Sequence, residues 1–270
     1  MCGERMSVPA PTTPKRRRSR LLRYSLRSLF VTTAGIGVLL VVYVVPAERQ
    51  RQAVSEIRAM GGNVVYDYEI GLAPEPQGLA QYRVDYVATV NFVNLEKGKT
   101  DEDINYASQL KALKSVSFDG ALTDNELSLF IGQAEMQTLS LEGTDVTDTG
   151  LAHLANMRQL ETLYLDNTRI GDDGLATLSR LRSLVNLDLT NTLITDVGMR
   201  HLAGMPNLRH LSIARTQITD VGLAELHLCK PLTTLVLADT SVTANGVKRI
   251  REMLPDCDVY CPRYPELPWR

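Results

Sequence analysis

Residues 160–183 read LETLYLDNTRIGDDGLATLSRLRS, and residues 184–207 repeat the pattern as LVNLDLTNTLITDVGMRHLAGMPN. The period is 24 residues, and it continues on both sides of this pair. One column of leucines shows the spacing: Leu139, Leu163, Leu187, Leu211 and Leu235. A unit of this length is one strand and one helix that bury their apolar sides only by stacking on neighbouring units. The chain is therefore predicted to form a stacked array.

Each repeat places its residue types at fixed points. Leu163 and Leu165 alternate with polar residues, which predicts a strand with one buried face. Thr195 precedes the helical half, where its hydroxyl can accept a hydrogen bond from a free backbone N–H. Asp196 follows in the first turn, where its negative charge suits the helix dipole. Gly198 recurs at this spacing although glycine is a poor helix former, which indicates close contact between stacked units.

The consensus L-x-x-L-x-L-x-x-T-x-I/V-T-D-x-G-L-x-x-L resembles the leucine-rich repeat, in its ribonuclease-inhibitor-like, cysteine-containing subclass. A threonine column that includes Thr144 stands where that subclass often has Cys, and we expect it to satisfy backbone groups between repeats. The resemblance implies an α/β fold, a right-handed solenoid with a parallel concave sheet and convex helices. The whole layout also resembles bacterial single-span proteins with a basic tail, one membrane helix and an outward repeat domain.

The amino-terminal segment differs in charge from the rest of the chain. Residues 1–46 carry eight Lys or Arg and one Glu, a net charge of +7, whereas the remainder carries 21 basic and 30 acidic residues, a net charge of −9. Residues 29–45 contain no charge and reach the lower end of the length, about 17–25 residues, of a transmembrane helix. The basic flank predicts a cytoplasmic amino terminus and a periplasmic or extracytoplasmic repeat domain. A cleaved signal peptide and a buried soluble helix are the alternatives.

The chain thus divides into five predicted parts. They are a basic, disordered cytoplasmic tail (1–28), a transmembrane helix (29–45), a juxtamembrane helix with a short strand and linker (46–81), the leucine-rich-repeat domain (82–262) and a Pro-rich tail (263–270). In the third part the sequence NVVYDYE predicts the strand, and VATVNF predicts the strand of an irregular first repeat. Membrane topology explains the basic tail, so no nucleic-acid partner is predicted.

Cys2, Cys229, Cys257 and Cys261 are the four cysteines. Cys257 and Cys261 lie on one face of a predicted last strand, where residues four apart are separated by about 13 Å. A disulfide needs Cα atoms within roughly 7 Å, so these two do not bridge while the strand is intact. A Cys229–Cys257 disulfide in an oxidising compartment and a buried, free Cys257 are the two alternatives. The spacing of the cysteines predicts no metal site.

The polar residues that flank the strand leucines are predicted to face outward on the concave side. Most are small, but Asp119, Glu142 and Asp166 occupy the same position in three consecutive repeats, and Asp188 lies diagonal to Asp166. Like charges on neighbouring strands are destabilising, so the need for a stable fold does not explain this arrangement. We expect an electronegative patch around Tyr164 that binds a protein partner with a basic surface. A solvated acidic face and a divalent-cation site are the alternatives.

His210 completes the candidate partner-binding residues. It is predicted near Asp188, which could form an acid–base pair, but no nucleophile motif, phosphate loop or zinc motif accompanies it. The sequence therefore predicts a non-catalytic protein-binding or surface-recognition module with no cofactor and no small-molecule substrate. The repeats also resemble those of F-box substrate receptors in ubiquitin ligases, and a structural role in the cell envelope is a further alternative.

Overall fold

A computed structural model describes residues 45–59, 63–66, 90–95, 101–110, 113–118, 120 and 122–264. The chain divides into two compact units, Met1–Tyr43 and Val44–Arg270, and the first lies outside the described residues. The predicted basic tail and the predicted span at 29–45, apart from Val45, also lie outside them. Among the residues that are described, no helix combines the length and the apolar character needed to cross a bilayer.

The described strands form one sheet in which their order follows the chain. They are β1 (Asn63–Tyr66), β2 (Val90–Leu95), β3 (Ser115–Phe118), β4 (Thr138–Ser140), β5 (Thr162–Tyr164), β6 (Asn186–Asp188), β7 (His210–Ser212), β8 (Thr234–Val236) and β9 (Asp258–Tyr260). β1 is antiparallel to β2, and every later strand is parallel to the one before it. The predicted parallel sheet is therefore confirmed; the strand expected at VATVNF is described over Val90–Leu95, and residues 87–89 lie outside the described residues.

Helices alternate with the strands. They are α1 (Val45–Ala59), α2 (Asp101–Ser108), α3 (Asp124–Leu127), α4 (Asp148–Leu151), α5 (Asp172–Leu178), α6 (Asp196–Leu202), α7 (Asp220–Glu225) and α8 (Ala244–Met253). Short 3-10 turns extend three of them at Ser128–Phe130, Ala152–Asn156 and Leu226–Leu228. The predicted threonine caps are confirmed, since the hydroxyl of Thr195 accepts a hydrogen bond of 3.3 Å from the Val197 N–H.

The strands pair in the register set by the repeat. Leu163 lies opposite Leu187, and Leu187 lies opposite Leu211. All three side chains are at most 2% exposed and belong to one continuous core that runs through the array. Stacking therefore buries the apolar face that a single repeat would expose to water.

The turn after each strand is closed within its own repeat. Thr192 is buried, and its hydroxyl donates to the Leu189 carbonyl at 2.7 Å. The other members of this column make the same bond: Thr144, Thr168, Thr216 and Thr240. The expectation that these threonines link neighbouring repeats is wrong, because the accepting carbonyl lies three residues earlier in the same repeat.

An aspartate adds a pair of side-chain hydrogen bonds to the contacts that join one repeat to the next. The Asp172 carboxylate accepts from the Thr195 backbone N–H at 2.8 Å and from the Thr195 hydroxyl at 2.6 Å. We call this contact the aspartate bridge, and it recurs at three further pairs: Asp124–Thr147, Asp196–Thr219 and Asp220–Thr243. A Cβ atom on Gly198 would overlap the Asp172 carboxylate, so the predicted close contact at the glycines is confirmed.

Candidate partner-binding surface

The side of the sheet that is turned away from the helices carries polar and small side chains. In β5 the central Leu163 is buried, whereas the neighbouring Thr162 is half-buried and Tyr164 is 41% exposed. β4, β6 and β8 show the same alternation around a buried leucine. We call this side the open sheet face. The alternating pattern positions every candidate side chain here without any contribution from a long loop.

Three of the predicted acidic residues come together on the open sheet face. The Gly143 N–H donates to the Asp166 carbonyl at 2.9 Å, which keeps the segments after β4 and β5 side by side. Burial, together with the charges of Glu142 and Asp188, raises the pKa of Asp166 to about 6. We call Glu142, Asp166 and Asp188 the acidic patch. Asp119, the fourth predicted acid, lies outside the described residues.

No basic side chain in the described part of the chain forms an ion pair with the acidic patch. Asp166 accepts a hydrogen bond of 3.0 Å from the Asn167 amide, and Asp188 accepts one of 2.9 Å from the Thr190 N–H. The two ion pairs found in the described part of the chain involve other carboxylates. The patch therefore presents a concentrated negative potential to whatever approaches this face.

A shallow recess of about 200 Å³ lies beside the acidic patch. Tyr164, Asp188 and His210 line it, with Ser212 and Val236 among the other lining residues. The His210 ring nitrogen Nδ1 lies 3.0 Å from the Thr234 hydroxyl. Among the described residues no ion pair joins His210 to Asp188, whose register partner on β7 is Ser212. The structure therefore places His210 in a surface recess, where its described hydrogen-bond partner is Thr234.

Sequence reasoning did not name several residues of this surface as binding candidates. Asn186 lines the recess and donates to the Thr162 hydroxyl at 2.8 Å, and Thr234 and Val236 complete the far wall. Tyr260 on β9 is 41% exposed and lies opposite Val236 in the register. The signal was present, because these residues occupy the same outward columns as Tyr164 and His210. Their neutral side chains drew no attention beside the carboxylates.

The described cysteines lie in the core, away from the open sheet face. Cys229, Cys257 and Cys261 are buried and free. Burial raises the pKa of the Cys229 thiol to about 11 and that of the Cys257 thiol to about 12. In the described residues no group of three or more His, Cys, Asp or Glu side chains is placed to hold a metal ion.

Two segments within this array of strand–helix units match a known repeat family in comparisons of sequence. Residues 182–242 and residues 156–179 each match a leucine rich repeat family. No curated protein matches the chain.

Two solved structures, both internalins from Listeria monocytogenes, are similar to this chain. The internalin inlF structure shares 21% identity at a TM-score of 0.52 and is matched over 64% of this chain and 47% of its own. An internalin C2 shares 25% identity at a TM-score of 0.41, over 60% of this chain and 73% of its own. The first likeness concerns the fold alone, and this chain spans about half the length of that relative.

Proposed function

We propose that this chain is a membrane-anchored leucine-rich-repeat protein that binds a protein partner through its open sheet face. The observation that carries the proposal is the raised pKa of the Asp166 carboxyl. Its pKa is raised to about 6 because the carboxyl is partly buried and faces two other carboxylates. Such an arrangement costs stability, so its presence on an exposed face is better explained by binding than by folding.

The partner in this proposal carries a basic surface. A Lys or Arg side chain placed among Glu142, Asp166 and Asp188 would relieve their mutual repulsion. The exposed ring of Tyr164 borders the same place and offers a cation–π contact to that side chain. The recess beside it accommodates a small or apolar neighbouring residue. Recognition of this kind uses a rigid surface and includes no chemical step.

The anchor and the subclass of repeat are further parts of the proposal. Residues 29–45 are uncharged and follow a basic flank, which supports one membrane span with the amino terminus in the cytoplasm and the repeats on the extracytoplasmic side. An alkaline phosphatase fused after Arg270 should then be active, because that enzyme needs an oxidising compartment. Activity of a cytoplasm-dependent reporter at the same position would contradict this topology. The threonine column supports assignment of the repeats to the ribonuclease-inhibitor-like, cysteine-containing subclass.

Binding is tested by placing a photo-cross-linking amino acid at Tyr164 in living cells, with the same amino acid at Thr177 on α5 as the control. The partner is identified from the adduct that forms only at Tyr164. Its affinity is then measured for the double variant Asp166→Lys/Asp188→Lys and for the control Asp173→Lys, an exposed acid on α5. We expect the double variant to weaken binding about tenfold or more and the control to leave it unchanged. Equal affinity of both variants would refute the proposal.

A further inference from the structure

A second charged surface lies in the turns that lead from the helices into the strands. Four turns, at residues 156–161, 179–185, 203–209 and 228–233, contain five exposed basic residues and one acidic residue, Glu161. We call the five the basic strip: Arg158, Arg180, Arg182, Arg209 and Lys230. Lys230 donates to the Met253 carbonyl at 3.2 Å. In the described part of the chain the other four guanidinium groups have neither a hydrogen bond nor an ion pair.

Hydrogen bonds between repeats fix the backbone that carries these side chains. The Arg158 carbonyl accepts from the Ser183 hydroxyl at 2.6 Å, and the Arg182 carbonyl accepts from the Asn207 amide at 2.9 Å. The Arg209 carbonyl accepts from the Thr234 N–H at 2.9 Å. The backbone of these basic residues is therefore held in place by neighbouring repeats, while their charged ends remain available for binding.

The basic strip and the acidic patch lie at opposite ends of the strands and share one spacing. The strip precedes β5 to β8, whereas the patch follows β4 and β5 and includes the last residue of β6. Arg158 and Arg182 are one repeat apart, as are Glu142 and Asp166, so each pair spans about one strand separation, which is about 4.8 Å. A second copy of this array presents basic groups with the separation that the acidic patch has, so it fits the patch in both charge and spacing. This chain carries both halves of that match.

We propose that the basic strip docks on the acidic patch of a second copy of this chain. The inference rests on the proposed function and names the basic partner of the patch. Reciprocal docking of strip on patch closes a dimer, whereas head-to-tail docking gives rings or open chains. Exposed ion pairs make such contacts weak and sensitive to salt.

The test is sedimentation velocity of the full chain in a non-ionic detergent over a range of protein concentrations. At low salt the wild-type chain should associate as its concentration rises, and about 1 M NaCl should abolish this because the Debye length falls to about 3 Å. The variants Arg158→Glu/Arg182→Glu and Asp166→Lys/Asp188→Lys should each be monomeric. An equimolar mixture of the two should associate again, since every reversed charge then meets its opposite. Arg200→Glu, an exposed change on α6, serves as the control and should behave as wild type.

The other results overturn the inference. A wild-type chain that is monomeric at low salt refutes the inference. Association that both charge-reversed variants retain also refutes it and would point to contact through residues 29–45. A mixture that fails to associate also refutes it. Loss of binding to vesicles of anionic phospholipid by Arg158→Glu/Arg182→Glu, with a monomeric wild type, assigns the strip to a lipid surface instead.

The proposed function has a separate readout. If the cross-linker at Tyr164 captures a different basic protein while the chain stays monomeric, the proposed function stands and this inference fails. If the adduct is a second copy joined through residues of the basic strip, both stand.

Discussion

Asp172 holds Thr195 of the following repeat by two hydrogen bonds, from the backbone N–H at 2.8 Å and from the hydroxyl at 2.6 Å. The same carboxylate lies in the first turn of α5, where the helix dipole favours negative charge. One side chain therefore stabilises its own helix and joins two repeats. Stability in such an array is a sum of terms within repeats and between neighbours, and the aspartate bridge belongs to the second kind.

Replacement of Asp172 by Ala should lower the free energy of unfolding by about 1–3 kcal/mol, because the partly buried N–H and hydroxyl of Thr195 lose their acceptor. The measurement is equilibrium unfolding in urea. Asp173→Ala is the matched control, since this exposed neighbour makes no hydrogen bond, and its effect should stay within about 0.5 kcal/mol. Equal losses for the two variants would show that the bridge contributes nothing.

Gly198→Ala should destabilise the chain by about 1–3 kcal/mol although alanine is the better helix former. The new methyl group would overlap the Asp172 carboxylate and crowd a Leu175 methyl group. Gly204→Ala is the control, because no atom lies within 4 Å of the added Cβ there. Thermal unfolding of both variants measures the difference, and a Gly198→Ala protein as stable as Gly204→Ala would contradict the steric account.

Gly171→Thr should stabilise the chain by about 1 kcal/mol. At this joint Asp148 accepts a single hydrogen bond, from the Gly171 N–H at 2.7 Å, because glycine stands where other repeats have the bridging threonine. The threonine hydroxyl would supply the second bond. Gly171→Ala separates the hydroxyl from the methyl group, and unfolding in urea should show stabilisation for threonine only. A gain shared by alanine would assign the effect to backbone entropy.

The stability of the chain should depend on Asp166 between about pH 4 and pH 6. Its pKa rises from 3.8 to about 6 on folding, so the native state binds more protons in this window and the free energy of unfolding falls as pH increases through it. Asp166→Asn should therefore stabilise the chain at pH 7 by about 1 kcal/mol, a figure reduced for the partial exposure of the carboxyl. The gain should vanish below about pH 4, whereas Asp173→Asn should show no such pH profile. Urea unfolding at a series of pH values provides the check.

The fold was predictable because one signal is repeated many times. The spacing of Leu163, Leu187 and Leu211 predicted parallel strands in register, and the structure pairs these residues as expected. Alternation in and directly after each strand also predicted which side chains face outward, and it placed Glu142, Asp166 and Asp188 on one face. The prediction was weakest before residue 110, because the first repeat is irregular there.

Contacts between repeats were harder to derive from the sequence. Asp172 was interpreted as a helix-dipole residue, because a single repeat gives no reason to look for its partner 23 residues later. The Thr192 hydroxyl was assigned to a contact between repeats, whereas it donates to the Leu189 carbonyl within its own turn. Periodicity shows which positions recur in every repeat. Only the three-dimensional structure shows which of these positions are joined by hydrogen bonds.

Ala244 occupies the place at which α8 would need an aspartate to bridge to another unit. Tandem duplication of a 24-residue segment within residues 148–243 preserves the bridging columns, so the open sheet face can lengthen or shorten in evolution by internal gain and loss. Addition after α8 would meet a surface without that acceptor. The alanine methyl group thus makes the interior of the array a better supported place for an added repeat than the end of α8.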